Sequence, residues 1–381
     1  MTRAASSRGD IAPFYVMEVM RAAELRMAEG HEVLHLEVGQ PSTPAPAGVI
    51  EAAHRALDND VLGYTTAAGI EPLRRRVAEH YRDWYGVEVD ADAVMFTVGA
   101  SGAFVAAFMA AFDVGDRVVV PSPGYPCYRN ALEVLGVEAV DLPTTIETRF
   151  QPTVEQLEAL GPIDGLVLSS PSNPTGTMLD ATRMESITAW CRANDVWFIS
   201  DEIYHGITYG ESAPTALQFD PDSIVINSFS KYFSMTGWRL GWLIAPPALR
   251  TALTRIGQNV TIAAPTLSQL GAVAAFDCHD ECEENIAGYA RNREVLLTGL
   301  PLAGIDRLAP ADGAFYVWAQ TDHIADDSQA LCTRWLDELG IAATPGIDFD
   351  PVNGHRFVRF SFAGSETDVA EAIRRLRDWT P

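Results

Sequence analysis

The sequence predicts an α/β fold: a mainly parallel central sheet of about seven strands flanked by helices, plus a smaller α+β unit built from both termini. Three observations predict it. Short apolar runs, most of them rich in Val, Ile, Leu or Phe, recur between residues 94 and 245 with little polar alternation, as strands buried on both faces of a sheet require. Helix-length segments separate most of these runs, and β alternating with α builds a parallel sheet. Beyond about residue 280 the rhythm changes to one long helix followed by shorter strands and helices.

In chain order, residues 14–29 read as an amphipathic helix ended by Gly30, and residues 33–38 as a short strand. Gly39-Gln40-Pro41 and the stretch from Pro44 to Gly48 break the pattern and suggest a linker between domains. The seven central runs are 94–98, 117–120, 137–142, 166–169, 196–200, 223–227 and 240–245, with helices such as 102–112 and 181–193 between them. The last part predicts helices at 281–298, 328–339 and 366–378 and strands at 314–318, 341–343 and 356–360. The expected division is an arm and part of a small domain at 1–45, a large domain at 46–280, and the rest of the small domain at 281–381. No internal repeat or low-complexity segment interrupts this organisation.

Composition narrows the functional classes. A chain of 381 residues that is 48% hydrophobic and 20% charged has enough apolar material for a large packed core. Its formal net charge of -24 repels nucleic-acid phosphates and anionic membranes, which sets both aside as partners. No apolar run approaches the roughly 18 residues of a membrane span. Residues 1–10 carry Arg3, Arg8 and two serines without an apolar core, so they read as a frayed arm and not a targeting segment. Cys127, Cys191, Cys278, Cys282 and Cys332 are odd in number and scattered, as expected of reduced thiols in a cytoplasmic protein. Cys278-His279 with Cys282 has no second ligand pair, so no metal is expected.

Polar residues concentrate just after the C-terminal ends of the expected strands, the edge where open parallel sheets bind ligands. Gly99-Ala100-Ser101-Gly102 follows the first run; small residues at a helix start let backbone N–H groups approach an anion. It is not G-x-G-x-x-G, which counts against a dinucleotide site. Ser170-Pro171-Ser172-Asn173-Pro174-Thr175-Gly176 forms a stiff loop that offers Asn173 as a donor; an ordinary turn reads the same way. Asp201-Glu202-Ile203-Tyr204 places acids directly after a buried run, which is costly unless they cap a helix or meet a cation. Ser228-Phe229-Ser230-Lys231 followed by Gly237-Trp238-Arg239-Leu240-Gly241 is the most specific: two cations with apolar flanks in a chain that has only 27 Lys and Arg.

At these residues the chain resembles the class I/II aminotransferases, fold-type I enzymes that use pyridoxal 5'-phosphate (PLP). The resemblance spans nearly the whole sequence, in order. It runs through Gly39, Tyr64, Gly99-Ala100-Ser101, Pro123-Gly124-Tyr125-Pro126, Asn173-Pro174-Thr175-Gly176, Asp201-Glu202-Ile203-Tyr204, the Lys231 and Arg239 segments, and Arg359 in Phe357-Val358-Arg359-Phe360-Ser361. It implies an aminotransferase moving an amino group from an L-amino acid to a 2-oxo acid, with Lys231 forming a Schiff base to PLP and then moving the Cα proton. It also implies that Asp201 pairs with the ring nitrogen, Asn173 and Tyr204 with the ring oxygen, and that Tyr125 stacks on the ring. Ala100, Ser101, Ser228, Ser230 and Arg239 would hold the phosphate, with Tyr64 completing the cup from the other subunit of a homodimer. Arg359 would clamp the substrate carboxylate, with Arg356 as a neighbour, and Gly39 would leave room beside the substrate.

Two departures bear on the substrate. Dicarboxylate-specific relatives carry an extra cation either in the segment matching Gln258-Asn259-Val260 or in the phosphate turn. This chain has no arginine in the first, only the nearby Arg255, and has Ser101 in the second. Phe14, Tyr15, Tyr64 and Tyr125 instead suggest an apolar or aromatic side chain. The alternatives are a PLP enzyme of another class, such as a C–S lyase or decarboxylase, a ligand-sensing regulatory module, or a nicotinamide-dependent dehydrogenase. A fused DNA-binding segment or a dinucleotide fingerprint would favour the last two, and neither is seen.

Overall fold

A computed structural model of the chain describes residues 5–380. Of the expected arm at 1–10, the first four residues lie outside that range, and Ser7–Gly9 forms a single 3-10 turn. The first strand, β1, spans Leu34–His35. The central sheet follows as β2 (Val94–Val98), β3 (Arg117–Ser122), β4 (Glu138–Pro143), β5 (Gly165–Ser169), β6 (Trp197–Asp201), β7 (Ile224–Ser228) and β8 (Leu240–Ile244). Their spatial order is β2-β8-β7-β6-β5-β3-β4. Only β8 runs against its neighbours. The other adjacent pairs are parallel.

Alternation along the strands explains why apolar runs signalled this sheet. In β5, Leu166 and Leu168 join one hydrophobic cluster while Val167 joins the other, on the opposite face. Both faces are covered, so β5, β7 and β8 are buried at every residue. The edge strand β4 is the exception, half-exposed along most of its length.

The remaining strands are β9 (Arg307–Leu308), β10 (Tyr316–Gln320), β11 (Ile341–Ala342), β12 (Thr344–Pro345) and β13 (Phe357–Ser361). Four of them form an antiparallel sheet ordered β12-β13-β10-β9, and β11 pairs in parallel with β1. The N-terminal segment is thereby tied to the C-terminal part of the chain.

Several local expectations need correction. The strand expected at 33–38 shrinks to β1 because the Glu37 carbonyl accepts from the Thr344 hydroxyl and the Arg359 guanidinium and so leaves the ladder. The strand expected at 314–318 starts at Tyr316, since Ala314 has φ +57°, outside the extended region. The stretch expected as a linker ends in helix Ala47–Asn59, and helix Glu71–Tyr85 follows; neither was expected. The helix expected from residue 102 begins at Gly99, directly after β2.

Candidate active site

Because β2, β5, β6 and β7 run the same way, Val98, Ser169, Asp201 and Ser228 end at one edge of the sheet. Strand β8 runs the opposite way, so its preceding residue, Arg239, starts at that same edge. Antiparallel pairing of β2 with β8 sets Arg239 beside Gly99, where the Gly99 N–H donates to the Arg239 carbonyl at 3.0 Å. A Cβ on Gly99, whose φ is +68°, would collide with the Arg239 guanidinium. A Cβ on Gly241 would likewise press on the Ala100 nitrogen, 2.6 Å away. These two glycines allow a guanidinium to lie against the N-terminus of helix Gly99–Ala111, where backbone N–H groups and the helix dipole already favour an anion. Ser230 lines the same corner.

Asp201 closes β6, fully buried. Its Oδ1 accepts the Ile203 N–H at 3.0 Å and its Oδ2 accepts the Tyr128 hydroxyl. Burial raises its pKa to about 6, against the opposing pull of those two hydrogen bonds and of Lys231. A cation placed against this carboxylate would restore its charged form. Asn173, buried in the loop after β5, accepts from Arg359 Nη1 at 2.9 Å through Oδ1, which leaves its amide N–H groups for a ligand. The Tyr204 hydroxyl lies 2.8 Å from that of Tyr316.

Lys231 projects between these groups, and its Nζ donates to the Gly39 carbonyl at 2.6 Å. Burial lowers its pKa to about 8, reinforced by the positive charges of Arg359 and Arg239 and offset in part by Asp201. About a tenth of such an amine is unprotonated at pH 7, far more than of an ordinary lysine, and that is the form a nucleophile or base requires.

Arg359 is held in the middle of β13 opposite Trp318 and Thr344. Its guanidinium lies between the rings of Tyr316 and Phe349, 4.4 Å and 4.7 Å from their centroids. Its buried Nε has no protein partner. A buried donor left over in this way fits an anionic ligand. Arg356, its sequence neighbour, points elsewhere and pairs with Asp322 at 2.7 Å.

All residues given a cofactor or substrate role from the sequence, except Tyr64 and Ser228, line one cavity of about 210 Å³. Ser228 lies behind it: its hydroxyl is 2.8 Å from that of Ser230 and 3.0 Å from the Leu240 carbonyl, where it shapes the turn. Tyr64 is 86% exposed, away from this chain's own cavity. Of the four aromatics expected near a substrate side chain, Phe14 and Tyr125 line the cavity; Tyr15 borders a separate cleft against helix Ser328–Leu339. Other contributors escaped sequence reading. Tyr128 sits one helical turn from Tyr125, a spacing that could have flagged it. Tyr316, Asp348, and the Val16 and Met17 that extend the wall begun by the expected Phe14, carry no local signal, because long-range packing brings them in.

The donor set can be tested against the group that the resemblance implies. PLP presents a phosphate, a ring nitrogen, a phenolic oxygen and an aldehyde. The cavity offers a cationic corner cleared by glycines, a buried carboxylate, two hydrogen-bonding groups and an amine of lowered pKa. The set fits.

The comparisons agree with this geometry. The family model for aminotransferase class I and II matches residues 31–376. Valine–pyruvate aminotransferase of Mycobacterium tuberculosis is 48% identical over 386 residues, covering the whole of both chains. The crystal structure of an aminotransferase from Mycobacterium tuberculosis superposes with a TM-score of 0.97 at 48% identity, covering 99% of each chain. Aspartate aminotransferase from Thermus thermophilus with maleate superposes with a TM-score of 0.93 at 30% identity, covering 99% of this chain and all of that one. The chain therefore belongs to the class I and II aminotransferases, PLP-using enzymes that move an amino group from an amino acid to a 2-oxo acid.

Proposed function

We propose that the enzyme uses PLP to transfer the amino group of a small apolar L-amino acid, of the valine type, to a 2-oxo acid such as pyruvate. The observation that carries this reading is the makeup of the cavity. Its three cations are Lys231, Arg239 and Arg359, each matched to a proposed task, and the remaining wall includes Phe14, Val16, Met17, Val38 and Ile203. A second carboxylate on the substrate would find no free cation among the lining residues, whereas an apolar side chain would remove that wall from water. The valine–pyruvate relative supports the same choice.

PLP, when bound, supplies a ring that withdraws the negative charge developing at the substrate Cα. Arg239, Ser230 and the N–H groups of Ala100 and Ser101 would hold its phosphate, Tyr125 would stack on its ring, and Lys231 would hold it covalently. Asp201 keeps a proton on the ring nitrogen by offering a buried negative charge. Asn173 and Tyr204 donate to the ring oxygen. The Lys231 amine would take the proton from the substrate Cα and deliver it to the cofactor side, so that the amino group stays there when the 2-oxo acid leaves. Arg359 holds the substrate carboxylate, and Gly39 keeps its backbone close without a side chain in the way. Phe14, Val16 and Met17 exclude water from the substrate side chain.

A homodimer is part of the same proposal. The segment carrying Tyr64 is tied to the body by Thr266 and Gln269 yet leaves Val61 98% exposed and Tyr64 86% exposed, an arrangement suited to a partner subunit. The division into 1–45, 46–280 and 281–381 remains a proposal that limited proteolysis can check. No helix among the described residues is long and apolar enough to cross a membrane. Five unpaired cysteines support a reducing, cytoplasmic setting.

The test is a panel of single L-amino acids added to the PLP-loaded enzyme while its visible absorption is followed. Valine and similar apolar donors should convert the cofactor faster than aspartate does. A faster response to aspartate than to valine would overturn the substrate assignment.

A further inference from the structure

Tyr316, at the start of β10, touches three residues of the site at once. Its hydroxyl is 2.8 Å from the Tyr204 hydroxyl. Its ring packs edge-on against the Tyr204 ring, with centroids 5.7 Å apart and planes at 81°. The same ring faces the Arg359 guanidinium at 4.4 Å. A Cβ on Gly39 would collide with its hydroxyl, so that glycine is what admits the phenol to its place. The side chain is 1% exposed, and Phe315 packs beside it at 5.1 Å between centroids, so it has little freedom to move.

Two hydroxyls share one hydrogen bond here, and the direction of that bond matters. Each phenol has one O–H to donate and lone pairs to accept with. The Arg359 charge lies directly on the Tyr316 ring and pulls against the effect of burial, making this phenol the more willing donor. At Tyr204 burial comes first and the neighbouring Tyr316 phenol adds to it, so its pKa is held well above the usual phenol value although Arg359 opposes there too. With Tyr316 donating, the Tyr204 oxygen accepts and its own O–H is released toward the cavity. A hydroxyl that accepts one hydrogen bond donates the next more strongly.

We infer that Tyr316 is a dual positioning residue. Its hydroxyl donates to Tyr204 and strengthens the donation of Tyr204 into the cavity, while its ring holds the Arg359 guanidinium flat for a substrate carboxylate. The first half rests on the reading that Tyr204 donates to the ring oxygen of PLP; the second does not.

The two halves separate experimentally. Reconstituted wild type, Tyr316→Phe, Tyr204→Phe and the double variant are titrated with pH while the absorption of bound PLP is followed. Tyr316→Phe keeps the ring and removes only the hydroxyl, and the spectroscopic pKa should rise by about half a unit. In the Tyr204→Phe background the same change should have no further effect. An unchanged pKa in Tyr316→Phe, or an equal shift in both backgrounds, overturns the hydroxyl role. If Tyr204→Phe itself leaves the spectrum unmoved, the reading of Tyr204 fails first and takes the hydroxyl role with it. The ring role is read from the Kd of 3-methylbutanoate, an unreactive carboxylate. Tyr316→Phe should hold that Kd within about twofold, and Tyr316→Leu should weaken it about tenfold. Phe349→Leu, which removes the opposite ring, serves as the second variant if Tyr316→Leu does not fold. A Kd unchanged in the folded leucine variants overturns the ring role.

Discussion

Lys231 Nζ donates a 2.6 Å hydrogen bond to the carbonyl oxygen of Gly39, a residue 192 positions earlier in the chain. This bond holds the amine inside a cavity that also contains two arginines, and it explains how a lysine of lowered pKa stays in place there. Replacing Lys231 with Ala should abolish the covalent cofactor link and lower turnover by at least about 10³-fold, the scale of losing a general base and nucleophile. Full activity in Lys231→Ala would sink the proposed mechanism.

The same lowered pKa predicts a pH dependence of apoprotein stability. Between about 8, the folded value, and 10.5, the ordinary value, the unfolded chain binds the lysine proton and the folded chain does not. The Lys231 contribution to stability therefore rises as pH climbs through that window and is flat below it. Thermal melts of apo wild type and apo Lys231→Met should differ in this way: any advantage of the methionine variant shrinks from pH 8 to 10.5. A difference that is constant with pH would show that the amine is not desolvated.

Gly99 is predicted to be intolerant of any side chain. Its backbone is left-handed, and a Cβ would collide with the Arg239 guanidinium. Gly99→Ala should weaken PLP binding by about tenfold or more while leaving the fold intact, because the displaced group is the terminus of an exposed side chain. Fluorescence titration of the apoprotein with PLP measures this; an unchanged Kd would remove Arg239 from the phosphate corner.

Asp201→Ala should still take up PLP yet turn over about 10²–10⁴-fold more slowly, since the buried negative charge holds the ring proton and not the phosphate. Single-turnover kinetics with saturating valine separate this loss from weaker binding. Equal rates in variant and wild type would leave Asp201 without its proposed role.

Asp348 carries a prediction about the apolar wall. Helix Tyr15–Ala28 has no cap of its own, and the Asp348 carboxylate supplies one from 332 residues away, accepting the N–H of Tyr15 at 3.0 Å and of Val16 at 3.1 Å. Asp348→Ala should cost about 1–2 kcal/mol of stability, the usual loss for an N-cap. It should also raise KM for valine more than kcat falls, because Phe14, Val16 and Met17 lie at that helix start. Hydrogen exchange at Tyr15 and Val16 should quicken alongside; unchanged exchange would show that the cap is not what holds the wall.

Much was legible in the sequence, and for identifiable reasons. Most of the central strands are doubly buried, so their apolar runs stand out from the surrounding helices, and Val94–Val98 is the same in sequence and structure. Residues such as Asp201, Asn173 and Lys231 follow those strands directly, so finding a strand end also finds the functional position. Chemistry that depends on a few atoms next to a regular element is written locally.

What only the tertiary structure decided is how separate segments meet. Tyr128 reaches Asp201 across two elements, and Tyr316 comes from β10 to meet Tyr204, Arg359 and Gly39. The first helix becomes a wall of the site through a carboxylate near the far end of the chain. None of these long-range pairings has a sequence period, because each joins elements that only packing brings together. Local sequence determined the strands, the turns and the cofactor chemistry they carry, while packing between distant segments determined the substrate wall and the groups that tune the reacting residues.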